Sequence, residues 1–443
     1  MACRFHVQFL GNIDVNKVAF STEFMKRRPK KISAFHFLWS FCMACSMPSF
    51  SLRSWACQLS ELIGDFVSHQ AIHKKFQIRH LPFLQKIFHL QLRQTLGLGG
   101  KLPDFLQGFS RVLIEDSTCI KLNKSLFQFF SGNSNGKVRK TIGRIEFTFD
   151  LLSDAMEHLN LTSYSINDGA YSGQILNRIR PGDLVIRDLG YWKLATFDKI
   201  HKVKAYFLSR LKLTCYVYAG NKDSQWVLAK ELKKLDRRNI TKIDMVVWVG
   251  AVEKVRMRLI GYKLTDQQTR SRKRAARQSR NKNHKITADH NYLMSWNLFV
   301  TNVEADHWGL SEVVQAYKLR WSIEMVFMNW KSNFNVDSII ASTTGPDPIR
   351  PEILMYLCQI YIASCFQPYY HFFNRLLMKN HNRILSPQKF AKYLIGNLGD
   401  FIGLELVESS KTEGYVEKLK YYYCYERRPD RTNLFELSGR EFP

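Results

Sequence analysis

The sequence predicts an α/β protein: a mixed sheet flanked by helices, interrupted by a β-rich insertion and set between helical N- and C-terminal regions. Three observations lead there. Residues 111–210 read as three strands, a helix, a strand, a helix and a strand, the alternation that a mixed sheet with covering helices produces. Residues 1 to about 100 place apolar side chains at three- and four-residue steps, which is helical spacing. The tail beyond Pro351 repeats that spacing.

At 443 residues the chain is long enough for a large core and two or three structural units. A hydrophobic content of 45% with 13% aromatics excludes a disordered chain. The balance of 65 Lys+Arg against 38 Asp+Glu gives a formal charge of +27, which favours a polyanionic partner. Nucleic acid is the first candidate and an anionic membrane surface the second. Nine scattered cysteines suggest reduced thiols in a cytosol. Cys42 and Cys45 form one C-x-x-C with no second pair at zinc-finger spacing, so they read as small buried residues. The first residues lack a basic start followed by an apolar run, so no signal peptide is expected. The longest apolar stretch, Ile353 to Phe366, is interrupted by Gln359 and too short to span a bilayer; it reads as a core helix.

Taken in order, Met25 to Lys31 is a basic loop broken by Pro29. Ser54 to Leu62, Gly64, and Ser68 to Phe76 resemble a helix-turn-helix, with Ser68 as cap and His69, Gln70, His73 and Lys74 on the outer face. An ordinary helical hairpin is the alternative. Leu96 to Pro103 is a linker. The strand block comprises Arg111–Glu115, Ile145–Leu152, Met156–Ser165, Asp183–Arg187 and Ala205–Arg210, with helices near Gln174–Arg178 and Lys193–His201. Residues 212–290 read as an insertion whose strands, Ile243–Val249 and Lys254–Tyr262, suggest a small β subdomain. It ends in Arg270–Lys285, with eight cations and no acid. Such a run is often a solvated helix. In so basic a chain, nucleic-acid contact through Lys273, Arg274 and Arg277 is the favoured reading. Ser295–Thr301 returns to a strand, and Tyr421 to Pro443 reads as irregular.

The most informative stretch is Tyr317 to Lys331. As one helix it brings Tyr317, Arg320, Glu324 and Lys331 within roughly 60° of one another. Leu319, Ile323, Val326 and Trp330 fall on the opposite, packing side. One carboxylate between two cations and a phenol suits a metal ion beside a polyanion. Asp116 and Asp188 each follow an apolar strand, where such sheets expose their ends and place ligands. Together with Glu324 they are suited to hold two Mg²⁺ ions about 3.5–4 Å apart, one activating a water or 3′-hydroxyl and the other stabilising the leaving oxygen.

The spacing Tyr317-x2-Arg320-x3-Glu324-x6-Lys331 resembles the signature of bacterial insertion-sequence DDE transposases. Ile114-Glu-Asp116-Ser-Thr118 resembles their first-Asp motif, and Asp183-Leu-Val-Ile-Arg-Asp188-Leu-Gly-Tyr191 their second. The likeness covers roughly residues 10 to 380. It implies an RNase H-like core with Asp116, Asp188 and Glu324 as the catalytic, metal-binding triad, served by two Mg²⁺ ions for which Mn²⁺ substitutes. It also implies phosphate contacts from Tyr317, Arg320, Lys331 and Arg210. The sequence departs from the pattern in two places. Glu115 precedes Asp116 as a rival ligand, although strand alternation points it the other way. Leu189 stands where an Arg often follows the second Asp. Trp296 reads as core rather than as a base-stacking aromatic. Asp168 and Asp183 read as loop and strand-start residues.

The implied division is 1–103 helical DNA-binding region, 104–211 and 291–340 catalytic core, 212–290 basic insertion, and 341–443 helical C-terminal region. The expected partners are double-stranded DNA, as terminal inverted repeats and as target, and a second copy in a synaptic homodimer, with no membrane. The expected location is the bacterial cytoplasm, at the nucleoid. The alternatives are a structure-specific nuclease on the same core and a non-catalytic DNA-binding regulator or relic.

Overall fold

Two apolar runs, Val112-Leu-Ile114 and Leu184-Val-Ile186, are buried on both faces, as central parallel strands must be. In the computed structural model, residues 13–425 are described, apart from 48, 96–103, 133–138, 154, 221, 279–286, 343–344 and 402–403. The expected linker, the end of the basic run and the tail from 426 lie outside the described residues.

The two runs lie in β1 (Val112–Lys121) and β4 (Leu184–Arg187), paired in parallel. On one side β1 pairs antiparallel with β2 (Ile142–Asp150), and β2 with β3 (Ala155–Ser163). On the other side β4 pairs in parallel with β5 (Tyr206–Arg210). The resulting order, β3-β2-β1-β4-β5, is the RNase H-like arrangement.

The insertion differs from its expected form. Its strands β6 (Val217–Ala219), β7 (Lys242–Val249) and β8 (Val255–Lys263) do not make a sheet of their own. β8 pairs with β9 (Trp296–Thr301), which pairs with β5, so one nine-stranded sheet runs through the described residues. The physical reason is the long apolar β8, whose Met257, Leu259 and Ile260 find their burial against β9.

Helices α1 (Val15–Ser21), α2 (Ala34–Cys45), α3 (Leu52–Ile63), α4 (His69–His73) and α5 (Leu81–Thr95) form the N-terminal region. The helix-turn-helix expectation fails at its second member. Gly64 closes α3 in the left-handed region at φ 68°. α4 then has only five residues, and Ser68 makes no side-chain cap. Ile72 and Phe76 are both buried, with the Phe76 ring edge-on to Trp55, so the chain turns into the core instead of extending a recognition helix.

The covering helices that follow are α6 (Asp168–Tyr171), α7 (Leu194–Lys202), α8 (Leu228–Arg237), α9 (Asp266–Gln278), α10 (Ala288–Leu293), α11 (Leu310–Leu319), α12 (Trp321–Ser332), α13 (Val336–Ala341) and α14 (Ile349–Cys365). α14 is the predicted core helix, buried along nearly its whole length. Its Tyr356 hydroxyl donates to the Leu159 carbonyl of edge strand β3 at 3.0 Å, covering that edge. Cys42 of α2 and Cys358 and Cys365 of α14 are buried free thiols, and Cys45 is a half-buried one; burial pushes Cys42 and Cys45 far up. Further helices, Gln367–His381, Pro387–Gly396, Leu398–Phe401 and Ser410–Tyr422, complete the tail, so Tyr421 and Tyr422 are helical rather than irregular. Among the described residues no helix is long and apolar enough to cross a membrane.

Candidate active site

The parallel register sets Glu115 beside Arg187, so the next residues, Asp116 and Asp188, stand at neighbouring positions on the same edge of the sheet. Asp116 is not past its strand: β1 continues to Lys121 against β2, with Asp116 opposite Phe147. Its parallel pairing to β4 ends at Glu115, and that frees the edge. Alternation sends Glu115 to the other face, where it is buried and accepts from Arg187 Nε at 2.7 Å. The rival ligand is therefore already committed to an ion pair.

The third carboxylate arrives on two helices rather than one. α11 ends at Leu319 and α12 begins at Trp321, with Arg320 at the junction. There the backbone bonds shorten to three-residue steps, Arg320 N–H to the Tyr317 carbonyl and Ile323 N–H to the Arg320 carbonyl, both 3.2 Å. The expected faces survive the junction. Leu319, Ile323 and Trp330 are buried, Val326 packs against the same core, and Glu324 emerges opposite them.

Arg320 joins the three carboxylates. Its Nη1 donates to Asp116 Oδ2 at 2.9 Å and its Nη2 to Glu324 Oε1 at 2.6 Å, while Nε lies 3.7 Å from Asp188 Oδ1. The Tyr317 hydroxyl donates to Asp188 Oδ1 at 3.4 Å. Lys331 Nζ donates to the Cys119 carbonyl at 2.9 Å, further along β1. Burial, only partly offset by Arg320, raises Asp116 to about 6. Burial opposes the charge on Arg320, yet Asp188, Tyr317, Asp116 and Glu324 hold it firmly protonated. Burial also pushes the Tyr317 phenol up, so it remains a hydrogen-bond donor.

Among the described residues no three acidic, His or Cys side chains are spaced to hold a metal ion as they stand. The guanidinium between the carboxylates accounts for this: one cation supplies the charge that three converging acids require. The donor set itself is all carboxylate oxygen, which fits a hard divalent ion.

A second layer behind the sheet braces both aspartate segments, and sequence reasoning missed it. Asp168, expected in a loop, opens α6; it accepts from Ser117 Oγ at 3.0 Å and pairs with Arg144. A Cβ placed on Gly190 would stand 2.5 Å from Asp168 Oδ2. One carboxylate thus touches the neighbour of Asp116 and the turn that carries Asp188. Gly190→Ala is expected to slow cleavage by up to about 10²-fold through misplacement of Asp188. DNA affinity should stay at the wild-type level, as paired rate and binding assays would show. Asp183 is likewise more than a strand start: it is buried and held by a fork from Arg111, at 3.1 and 2.6 Å.

Glu146, a lone acid in the apolar run of β2, accepts from the Tyr191 hydroxyl at 2.7 Å. Burial raises it to about 7 although the Tyr191 bond works against the shift. A raised folded value means that this carboxyl favours the fold when neutral. That contribution is complete below about pH 4.5 and is lost as pH rises through about 7, a change of about 3 kcal/mol. Glu146→Gln should therefore gain stability relative to wild type across that window in urea titrations. Parallel stability curves would contradict the assignment.

Beyond Asp188 lies a cationic side. Arg210, at the end of β5, donates to Asn297 Oδ1 at 3.1 Å. Arg272 donates to the same oxygen at 2.9 Å and to the Trp296 carbonyl at 2.7 Å. Burial and the nearby Arg210 lower Arg272 to about 10. Arg272 is thus an anchor that fixes α9 beside the strand ends, leaving Arg274 and Arg277 exposed and Lys273 half-buried. Trp296 is buried in the core, as expected.

The structure brings together Asp116, Asp188, Glu324, Tyr317 and Arg320, with Lys331 on one flank and Arg210 on the other. Carboxylates gathered at the edge of a β3-β2-β1-β4-β5 sheet, among cations, define the metal-dependent enzymes that cleave and join polynucleotide backbones. Residues 107–344, more than half of the chain, match the Transposase DDE domain family. The chain belongs to the DDE transposases of bacterial insertion sequences, which cleave DNA and transfer strands with divalent metal ions.

It is 30% identical over 336 residues to the transposase of insertion sequence element IS231E of Bacillus thuringiensis subsp. finitimus, spanning 71% of this chain and 69% of that protein. It is 26% identical to the IS231F transposase of Bacillus thuringiensis subsp. israelensis, over 86% of this chain and 81% of that one. The IS1151 transposase of Clostridium perfringens is 23% identical over 74% and 72%. Among solved structures, the piggyBac transposase synaptic complex with hairpin DNA matches with a TM-score of 0.37 and 11% identity, covering 98% of this chain and 87% of that one.

Proposed function

We propose that this transposase binds the terminal inverted repeats of its own insertion sequence, cleaves the ends using two Mg²⁺ ions held by Asp116, Asp188 and Glu324, and transfers the 3′ ends to target DNA. The supporting observation is the convergence of those three carboxylates on one guanidinium. Bound there, the metal ions would supply an activated oxygen nucleophile and charge stabilisation at the leaving oxygen, and would free Arg320 for phosphate. The chain's own residues do the rest. Asp168 and Gly190 hold the aspartate segments in place. Tyr317, Lys331 and Arg210 take phosphate oxygens near the cut. Lys273, Arg274 and Arg277 hold backbone further out, and the helical region 1–103 contacts repeat DNA. Residues 104–211 and 291–340 form the catalytic core around the insertion 212–290, with 341–443 as the C-terminal region. Synapsis of two ends calls for a homodimer, acting at the bacterial nucleoid.

The deciding experiment incubates purified protein, Mg²⁺ or Mn²⁺, labelled repeat-end DNA and a target plasmid. Joined products establish the transposase reading. Cleavage without joining establishes the nuclease, and binding without cleavage a relic. Lys273→Gln, Arg274→Gln and Arg277→Gln combined should lower the salt slope of DNA binding by about 2.7, near 0.9 for each phosphate contact. An unchanged slope would remove these three from the interface.

A further inference from the structure

From Ser117 to Ile145 the sequence contains six cations and no acid. Arg144 is spent on Asp168, and Lys137 lies outside the described residues. Lys121, Lys124, Arg139 and Lys140 are all exposed, and none has an ion-pair partner among the described residues. Lys121 ends β1, the strand that carries Asp116, and the other three sit on its connection to β2.

In its described residues this connection is a fixed head rather than a loose loop. Leu122, Leu126 and Phe130 are buried beneath it. Its two arms are joined by Leu122 N–H to the Thr141 carbonyl at 2.9 Å, Ile142 N–H to the Phe130 carbonyl at 3.0 Å and Gly132 N–H to the Lys140 carbonyl at 2.8 Å. Ser125 Oγ ties it to the Gly345 carbonyl at 2.8 Å. Lys121 is five residues along β1 from Asp116, about 17 Å at strand rise. That is close to five base pairs of duplex, at about 3.4 Å each. Lys331, on the Cys119 carbonyl, stands between them.

The arrangement has two sides. Arg210 and α9 flank the carboxylates from the β5 side, and the head flanks them from the β1–β2 side. We propose that Lys121, Lys124, Arg139 and Lys140 form a second DNA-backbone surface, which holds the duplex on the side of the scissile phosphate opposite to that held by α9. The proposal rests on the reading of the site given above. Four exposed cations without ion-pair partners among the described residues, on a stretch whose sequence carries no acid, fit the phosphate backbone and carry no base readout.

The test compares full-length wild type with the combined variant Lys121→Gln, Lys124→Gln, Arg139→Gln and Lys140→Gln. Three duplexes are used: one short on both sides of the cleavage position, and two extended by about fifteen base pairs on one side or the other. Wild type is expected to gain affinity from either extension. The head variant should lose the gain from one extension only, about tenfold or more near 0.1 M salt, with a salt slope lower by about 3–4. The α9 triple variant should lose the gain from the other extension. Equal thermal unfolding of wild type and variant confirms that the fold is kept. The proposal is overturned if the head variant keeps both gains at the wild-type slope, or weakens on all three duplexes equally. A wild type that binds none of the duplexes overturns the reading of the site itself, and the head surface with it.

Discussion

Glu324→Gln should slow strand cleavage by about 10³-fold or more while leaving repeat-end DNA binding close to wild type. The glutamine keeps the shape of the side chain and its contact with Arg320 Nη2, now 2.6 Å from Glu324 Oε1, but removes one of three converging charges. Metal-derived stabilisation of phosphoryl displacement amounts to several kcal/mol, and each 1.36 kcal/mol is tenfold in rate. In the proposed arrangement the phosphate contacts come from cations and not from the three carboxylates, so binding has no reason to fall with the rate. Single-turnover nicking and gel-shift titration on the same DNA separate the two quantities. A glutamine variant that cleaves at the wild-type rate would take Glu324 out of the metal site.

Arg187→Met should cost the fold about 3–5 kcal/mol, because it leaves Glu115 buried and unpaired next to Asp116. Both partners are essentially without solvent exposure, at 0% and 1%. Arg187 also donates to the Ser172 carbonyl at 2.7 Å, a bond lost in the same change. The pair itself is weak evidence for stability, since its desolvation opposes its attraction. Adding Glu115→Leu to Arg187→Met should therefore restore most of the loss. Urea unfolding of wild type, both single variants and the double variant measures the coupling. A double variant as unstable as the sum of the singles would show that the pair does not act as a unit.

Much of the site was legible because its signals are local. The apolar run Leu184-Val-Ile186 announces a buried strand and thereby places Asp188 at its end. The pairing of Arg320 with Glu324 follows from their four-residue spacing on a helical face. Its bond to Asp116 joins residues 204 apart, and no spacing rule reaches that far. Asp168 and Glu146 were hidden for the same reason, since Ser117 and Tyr191 meet them only once the sheet has formed. A lone acid within Ile145-Glu-Phe-Thr-Phe149 was the available hint, because a charge in a buried strand needs a partner.

The same distinction explains where the fold departs from the local pattern. The strands of the insertion were found, but their membership of the main sheet depends on the pairing of β8 with β9. The second helix of the expected helix-turn-helix has adequate local propensity. It stops after five residues because Ile72 and Phe76 are drawn into the core.

In the proposed mechanism Asp116, Asp188 and Glu324 share one divalent-metal centre. Iron-directed protein cleavage tests it without any knowledge of the DNA substrate. Fe²⁺ replaces Mg²⁺, ascorbate and peroxide generate short-lived radicals at the bound ion, and the fragments are mapped. A shared centre gives backbone cuts near residues 116, 188 and 324 together, suppressed by excess Mg²⁺ and lost in Asp116→Asn. Cuts confined to other segments, or cuts at these three that Mg²⁺ does not suppress, would contradict it.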